Sequence, residues 1–143
     1  MFIYLLLTKK RLLDYEEGVF IINIEEDFEL DKNLGTHSLQ LLKELVSLIN
    51  SQNFLSIIII SATLIDVIKN EQSRLLNRLS GIEVNSIFSS RQISWLRARR
   101  NSIVHHVGPT DGLLGGEKEE KVLLHDANKS VQIINKFLKS LLR

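Results

Sequence analysis

The chain contains no cysteine among its 143 residues. Disulfide bonds, thiolate nucleophiles and zinc sites built on cysteine are therefore excluded, and we expect a cytoplasmic protein. Neither sign of charge is in excess, because 18 Lys and Arg residues oppose 17 Asp and Glu residues for a formal net charge of +1. Overall charge thus gives no indication of nucleic-acid binding.

Long hydrophobic runs are also missing. The most apolar stretch, residues 53–68, is too short to span a bilayer and is interrupted by Ser56, Ser61, Thr63 and Asp66. A helix that is apolar nearly all round is typical of the buried centre of a bundle, so no membrane partner is expected. The apolar residues 2–7 have no basic residue before them and no small-residue cleavage site after them. They are interpreted as part of the fold and not as a signal peptide.

The first 34 residues form an N-terminal extension of a different character. Apolar and polar residues alternate from Ile22 to Asp31, and a period of two predicts an extended segment. The extension is therefore predicted to contain a strand or a short β-hairpin, with another helix as the alternative, since residues 4–15 also carry leucines at helical spacing.

Residues 35–143 predict a mainly α-helical bundle. Thr36 or Ser38 is suited to cap a first helix, and residues 53 to about 79 form a second. Residues 81–90 look like a connector anchored by Ile82, Val84, Ile87 and Phe88, and a third helix runs to about His106, where Gly108 and Pro109 end it. The last helix begins near Glu117 after a turn-rich loop. Its apolar positions recur every three or four residues: Leu124, Ala127, Val131, Ile134, Leu138 and Leu141.

Six residues of the third helix, Arg100 to His105 (RNSIVH), carry the chemistry. Arginine binds phosphate, histidine transfers protons near neutral pH, and asparagine orients either. Arg100 falls on the apolar stripe marked by Ile93, Leu96, Ile103 and Val107. A guanidinium there is costly unless paired, so it either pairs with a carboxylate such as Asp66 or points into an active cleft.

Helical geometry divides this constellation. Asn101 and His105 are four residues apart and share a face, whereas Arg100 and His105 are about 140° apart on an ideal helix. Both reach one phosphate only if Arg100 bends around the helix, the helix distorts, or two copies of the chain form a composite site. Arg99 and His106, seven apart and nearly eclipsed, are a competing pair, so His106 is an alternative working histidine.

Arginines dominate the surroundings of the motif, and Glu83 is the sole acid between residues 72 and 106. Arg97 is a candidate RNA contact because guanidinium binds phosphate in a bidentate manner, and Trp95 is a candidate for stacking on a base. Five acids upstream, which are hypothesised to cover this arginine-rich surface, are Glu25, Glu26, Asp27, Glu29 and Asp31. Histidines without cysteine or a spaced carboxylate motif predict no metal site.

These residues resemble the HEPN superfamily, whose signature is R-x4–6-H with a polar residue after the arginine. The similarity covers roughly residues 37–142. It implies a helical bundle that dimerises through facing motifs and, in many members, acts as a metal-independent endoribonuclease, often a toxin or defence effector. By this resemblance Arg100 binds the scissile phosphate, His105 is the general acid/base, Asn101 orients them and Asp66 braces the motif.

The resemblance further implies RNA as substrate, no cofactor, and an antitoxin or regulatory protein as a partner. One branch of toxins carries tyrosine two residues after the histidine. Val107 stands there in this chain, which argues against that branch. Three hypotheses follow: a HEPN-type ribonuclease acting as a homodimer, a non-catalytic HEPN-like module that binds nucleotide or RNA or dimerises, and a structural bundle in which Arg100 pairs with Asp66.

Overall fold

The protein is mainly α-helical, as its sequence predicts. The computed structural model describes residues 11–15, 18–22, 33–71 and 81–141. Its helices within these residues are α1 (Thr36–Ser51), α2 (Phe54–Glu71), α3 (Gly81–Phe88), α4 (Arg91–His105) and α5 (Glu117–Leu141).

Helix α2 is the centre of the bundle and packs against α1, α4 and α5. The prediction of a buried central helix is confirmed, since its aliphatic side chains point to all three neighbours and Ile57, Ile58, Leu64, Ile65 and Ile68 are buried. Burial of each such side chain contributes roughly 1.5–3 kcal/mol. No helix in the described part of the chain has the length and apolarity needed to cross a membrane.

Helix α5 lies along α2 through the predicted apolar seam. All six seam positions, from Leu124 to Leu141, are buried, which confirms that prediction. Ser130, Ile133 and Phe137 widen the buried face, and the Phe137 ring meets the Phe88 ring edge-on with centroids 5.3 Å apart. A wide stripe on a 25-residue helix explains why α5 contacts both α2 and α4.

The N-terminus of α1 is capped from another helix. The predicted cap, Thr36 or Ser38, is wrong: the N-cap is Gly35, and both hydroxyl residues lie inside the helix. The carboxylate of Glu71, at the end of α2, accepts hydrogen bonds from the Ser38 amide at 2.6 Å and the His37 amide at 3.3 Å, and from the Ser38 hydroxyl. Burial alone would raise the pKa of Glu71, but these hydrogen bonds outweigh it and lower the pKa below 4.5.

Gly35 is needed for this approach. A Cβ atom at this position would clash with the Glu71 carboxylate, although the backbone φ of −70° is open to any residue. The sequence pattern could not reveal the cap, because Glu71 lies 33 residues from Ser38. Capping is thus a tertiary interaction between α1 and α2.

The predicted connector at residues 81–90 is largely a helix, α3, so that prediction is wrong in its secondary structure. Phe88 is buried and Val84 and Ile87 are partly buried against the core, whereas Ile82 is 83% exposed and is not an anchor. An eight-residue segment with one buried side chain has little apolar periodicity, which is why the sequence suggests a loop.

Helix α4 begins after Ser90 and ends at His105, one residue before the predicted end. The Ser90 hydroxyl accepts a hydrogen bond from the Ile93 amide at 3.2 Å and caps the helix. His106, not Gly108 or Pro109, ends it by adopting a left-handed conformation with φ 53°. Val107 therefore lies beyond the helix and is exposed, which corrects its place on the buried stripe.

Two strands precede the bundle, β1 (Arg11–Tyr15) and β2 (Gly18–Ile22), paired antiparallel with Leu13 opposite Phe20. The alternation beyond Ile22 and the five acids at residues 25–31 lie outside the described residues. The domain boundary at residues 34 and 35 stays a prediction.

Candidate functional site

Asp66, the acid of the central helix, lies between two arginines of α4. Its Oδ1 accepts hydrogen bonds from Arg97 Nε at 3.0 Å and Nη2 at 2.8 Å, and its Oδ2 accepts one from Arg100 Nη1 at 2.8 Å. Arg97 and Arg100 are three residues apart and therefore project from one side of α4. One carboxylate holding two guanidinium groups leaves this cluster with a charge of +1.

Arg97 makes three hydrogen bonds within the molecule, and 31% of its side chain is exposed. Besides its two bonds to Asp66, its Nη1 donates to the Phe88 carbonyl at 3.1 Å. Every nitrogen of the guanidinium is therefore engaged, and the side chain joins α4 to both α2 and the end of α3. Arg97 therefore shares the Asp66 carboxylate with Arg100, and its contact with RNA stays a prediction.

Arg100 is held without being saturated. Its Nε and Nη2 donate to Asn101 Oδ1 at 3.3 and 3.1 Å, and its Nη1 donates to Asp66. A guanidinium has five N–H groups, and three of them are engaged within the described residues. The side chain is 24% exposed, so the two remaining N–H groups are available to an anionic ligand from solvent.

His105 lies apart from this group. It is the last residue of α4 and is exposed, as is Asn101. Among the described residues its side chain makes no hydrogen bond to Arg100, Asn101 or Asp66. The structure thus brings Arg100, Asn101 and Asp66 together and leaves His105 on the open side of the helix, as the 140° separation on an ideal helix requires.

Arg99 is the buried arginine of α4, with 7% of its side chain exposed. Its Nε donates to Asp126 Oδ2 of α5 at 2.8 Å, and its Nη1 and Nη2 donate to the carbonyls of Pro109 and Asp111. Arg99 therefore fastens the loop after α4 to α5. The expectation that Arg100 occupies the buried stripe is corrected: Arg100 lies at its edge, and Arg99 is inside.

The competing pair of Arg99 and His106 is not formed. Eclipsing at a spacing of seven requires helix through both residues, but His106 is left-handed and outside α4. Its side chain is exposed, while that of Arg99 points inward to Asp126. Arg99 and His106 therefore do not face a common ligand.

Trp95 has a cation on its ring. The Lys129 ammonium lies 3.9 Å from the centroid, which is close enough for a cation–π interaction. The face of the indole toward α5 is covered by this lysine, so a stacked base would have to use the other face.

Asp126 is the residue of this region that the sequence does not single out. It accepts from Arg99 and lies 3.1 Å from His125 Nδ1, and it is one more acid on an acid- and lysine-rich helix with no distinguishing pattern. Among the described residues no group of three or more His, Asp or Glu side chains is arranged to hold a metal ion.

Comparison with protein-family models, with curated proteins and with solved structures finds no match to this chain.

Proposed function

We propose that the protein is a metal-independent endoribonuclease of the HEPN type that cleaves RNA at a composite site formed by a homodimer. The ribose 2′-oxygen attacks the adjacent phosphorus, and the 5′-oxygen of the next nucleotide leaves. His105 takes or returns the proton, and Arg100 stabilises charge on the phosphoryl oxygens. The products are a 2′,3′-cyclic phosphate and a 5′-hydroxyl, and DNA is not cut because it lacks the 2′-hydroxyl.

The observation that carries this proposal is the state of Arg100. Asp66 and Asn101 fix its guanidinium on three sides yet leave two N–H groups and a quarter of the side chain open. An arginine with a purely structural role is better served by the environment of Arg99, which is buried among acceptors. Preorganised donors that stay unsaturated suit a phosphate whose charge develops during the reaction.

A second copy of the chain supplies what one copy lacks. Arg100 and His105 diverge around α4, so a twofold axis across the exposed face of this helix would bring Arg100 of one protomer near His105 of the other. That face carries Ala98, Asn101 and Val104, and Val104 is 53% exposed. A small residue and an open apolar one allow two helices to approach closely.

The test is incubation of the protein with total RNA in EDTA. We expect cleavage by the wild type and a loss of about 10²–10⁴-fold for His105→Ala, the range for removal of a general acid/base. Arg100→Ala should lose activity as well. His37→Ala, an exposed histidine on α1, is the matched control and should cleave normally. Equal cleavage by His105→Ala and His37→Ala would refute the catalytic assignment.

The pairing of Arg100 with Asp66 supports the structural hypothesis, in which the cluster only joins α2 to α4, and the second candidate function is a non-catalytic HEPN-like module. This module would bind RNA or a second copy of the chain without cutting. It predicts that no variant and no wild-type preparation cleaves RNA, whereas Asp66→Ala still lowers the free energy of unfolding.

A further inference from the structure

A groove runs between the start of α4 and residues 125–140 of α5, beside the end of α3. It consists of two adjoining cavities of about 480 and 620 Å³ that share Gln92, Ile133 and Lys136 in their walls. These volumes fall in the range of ligand sites. The residues of this α4–α5 groove that matter below are Arg91, Gln92, Asn128, Lys129, Gln132 and Lys136.

The groove is positive on both walls. Arg91 comes from α4, while Lys129 and Lys136 are seven residues apart on one side of α5, about 10 Å along its axis. No Asp or Glu is among the described residues that line the groove, and none of these three cations forms an ion pair within the described part of the chain. The positive charge in the groove is therefore not offset by acidic residues of its lining.

Asp126, three residues before Lys129 on α5, is paired with an arginine. Asp126 faces away from the groove toward the buried Arg99, with 2.8 Å between Nε and Oδ2. Its Oδ1 contacts His125 Nδ1 at 3.1 Å, which orients that ring at the groove wall. Lys129 is positioned over Trp95 by a cation–π contact, an interaction that leaves the N–H groups of the ammonium able to donate.

Amide side chains lie among the cations, and the apolar residues Ile87, Ile93, Ile133 and Phe137 also line the groove. Gln92 on one wall and Asn128 and Gln132 on the other each offer donors and acceptors. Cations spaced along a groove with amides between them match a strand that alternates phosphates with sugars and base edges. A concave groove fits a strand better than it fits a flat bilayer surface.

We propose that the α4–α5 groove binds a single strand of RNA by its phosphate backbone, which rests on the proposed function for the choice of RNA. Arg91 is the first residue of α4 and His105 the last, about 21 Å apart along the helix. The groove therefore holds substrate at a distance from the scissile phosphate. Its lysines contribute to RNA affinity and leave the cleavage chemistry to the motif.

The experiment measures fluorescence anisotropy of a labelled 12-nucleotide RNA at several salt concentrations, on a His105→Ala background so that the RNA stays intact. The groove variant is Lys129→Gln with Lys136→Gln. The matched control is Lys118→Gln with Lys139→Gln, two exposed lysines of the same helix outside the groove. The charge-preserving variant Lys129→Arg with Lys136→Arg separates lost charge from lost packing.

Two phosphate contacts to a single strand account for a slope of about 1.4 in log affinity against log salt, or roughly 25-fold in affinity at 0.1 M salt. We expect the Gln groove variant to lose this affinity and slope, and the control and Arg variants to keep both. If the Gln groove variant binds RNA as tightly as the control variant, the proposed role of the groove in RNA binding is overturned. So does a wild-type chain that binds no RNA, or one that instead binds anionic vesicles through these lysines.

Failure of the groove differs from failure of the proposed function. If cleavage depends on His105 but the Gln groove variant binds RNA normally, the groove proposal is overturned and the ribonuclease stands. If the groove lysines govern binding but the wild type never cleaves, the ribonuclease is overturned and the groove stands.

Discussion

Arg99 and Arg100 are neighbours in the chain, yet replacing Arg99 should lower the stability of the protein and replacing Arg100 should lower its activity. Arg99→Met leaves Asp126 with a largely desolvated charge, because only 13% of that side chain is exposed, and it strips a donor from the carbonyls of Pro109 and Asp111. Breaking a buried ion pair costs about 3–5 kcal/mol. Since Asp126 retains His125 as a neighbour, we expect about 3 kcal/mol.

Arg100→Met is the internal control. The pair of Arg100 with Asp66 is 24% and 33% exposed on its two sides, and Asp66 keeps both hydrogen bonds from Arg97. An ion pair of this exposure contributes about 0–1 kcal/mol. Arg100→Met should therefore abolish cleavage while the protein stays nearly as stable as the wild type.

Urea denaturation followed by circular dichroism measures both values. With an m-value of about 1–3 kcal/mol/M, a loss of about 3 kcal/mol lowers the midpoint by about 1–3 M for Arg99→Met. Adding Asp126→Leu should restore much of the loss, because replacing both partners removes the orphaned charge. Equal destabilisation by the Arg99 and Arg100 variants would refute the distinction between a structural and a functional arginine.

Three further predictions concern residues that position the site or the helices. Asp66→Asn removes the charge that holds Arg100, so we expect cleavage to fall about 10-fold with unchanged affinity for RNA, and an unchanged rate would contradict the positioning role. Glu71→Gln should destabilise the protein at pH 7. Because the pKa of Glu71 is lowered in the folded state, its carboxylate contributes to the free energy of unfolding above pH 4.5. That contribution is lost as the pH falls below this value. Urea midpoints of both proteins should therefore converge in acid, and a constant difference would exclude Glu71 as the cause. Gly35→Ala should displace this carboxylate from Ser38 and cost about 1 kcal/mol, the value of a helix cap, and a thermal midpoint equal to that of the wild type would show that the cap adjusts.

The periodic parts of the fold are readable from the sequence. The apolar seam of α5 and the nearly uniform apolar sequence of α2 are long patterns. In both, the type of each residue predicts whether its side chain is buried. The cap of α1 and the burial of Arg99 are different, because both depend on single acids, Glu71 and Asp126, brought in from other helices. Local spacing carries no information about such partners.

The sequence predicts which residues form the site better than it predicts how they are arranged. Spacing on α4 separates Arg100 from His105 and places Asp66 as a candidate partner, and the structure pairs Arg100 with that carboxylate. The sequence does not predict that Asp66 also binds Arg97, since this contact depends on the distance between α2 and α4. The end of α4 is equally hidden, because a non-glycine residue, His106, adopts the left-handed conformation that ends the helix.

The central claim is that each site takes Arg100 from one protomer and His105 from the other. Mixing inactive Arg100→Ala protein with inactive His105→Ala protein tests it directly, with RNA cleavage in EDTA as the assay after subunit exchange. Half of the dimers then carry one chain of each kind and have one intact site of two, so the mixture should recover about a quarter of wild-type activity. A mixture as inactive as its components would contradict the composite site.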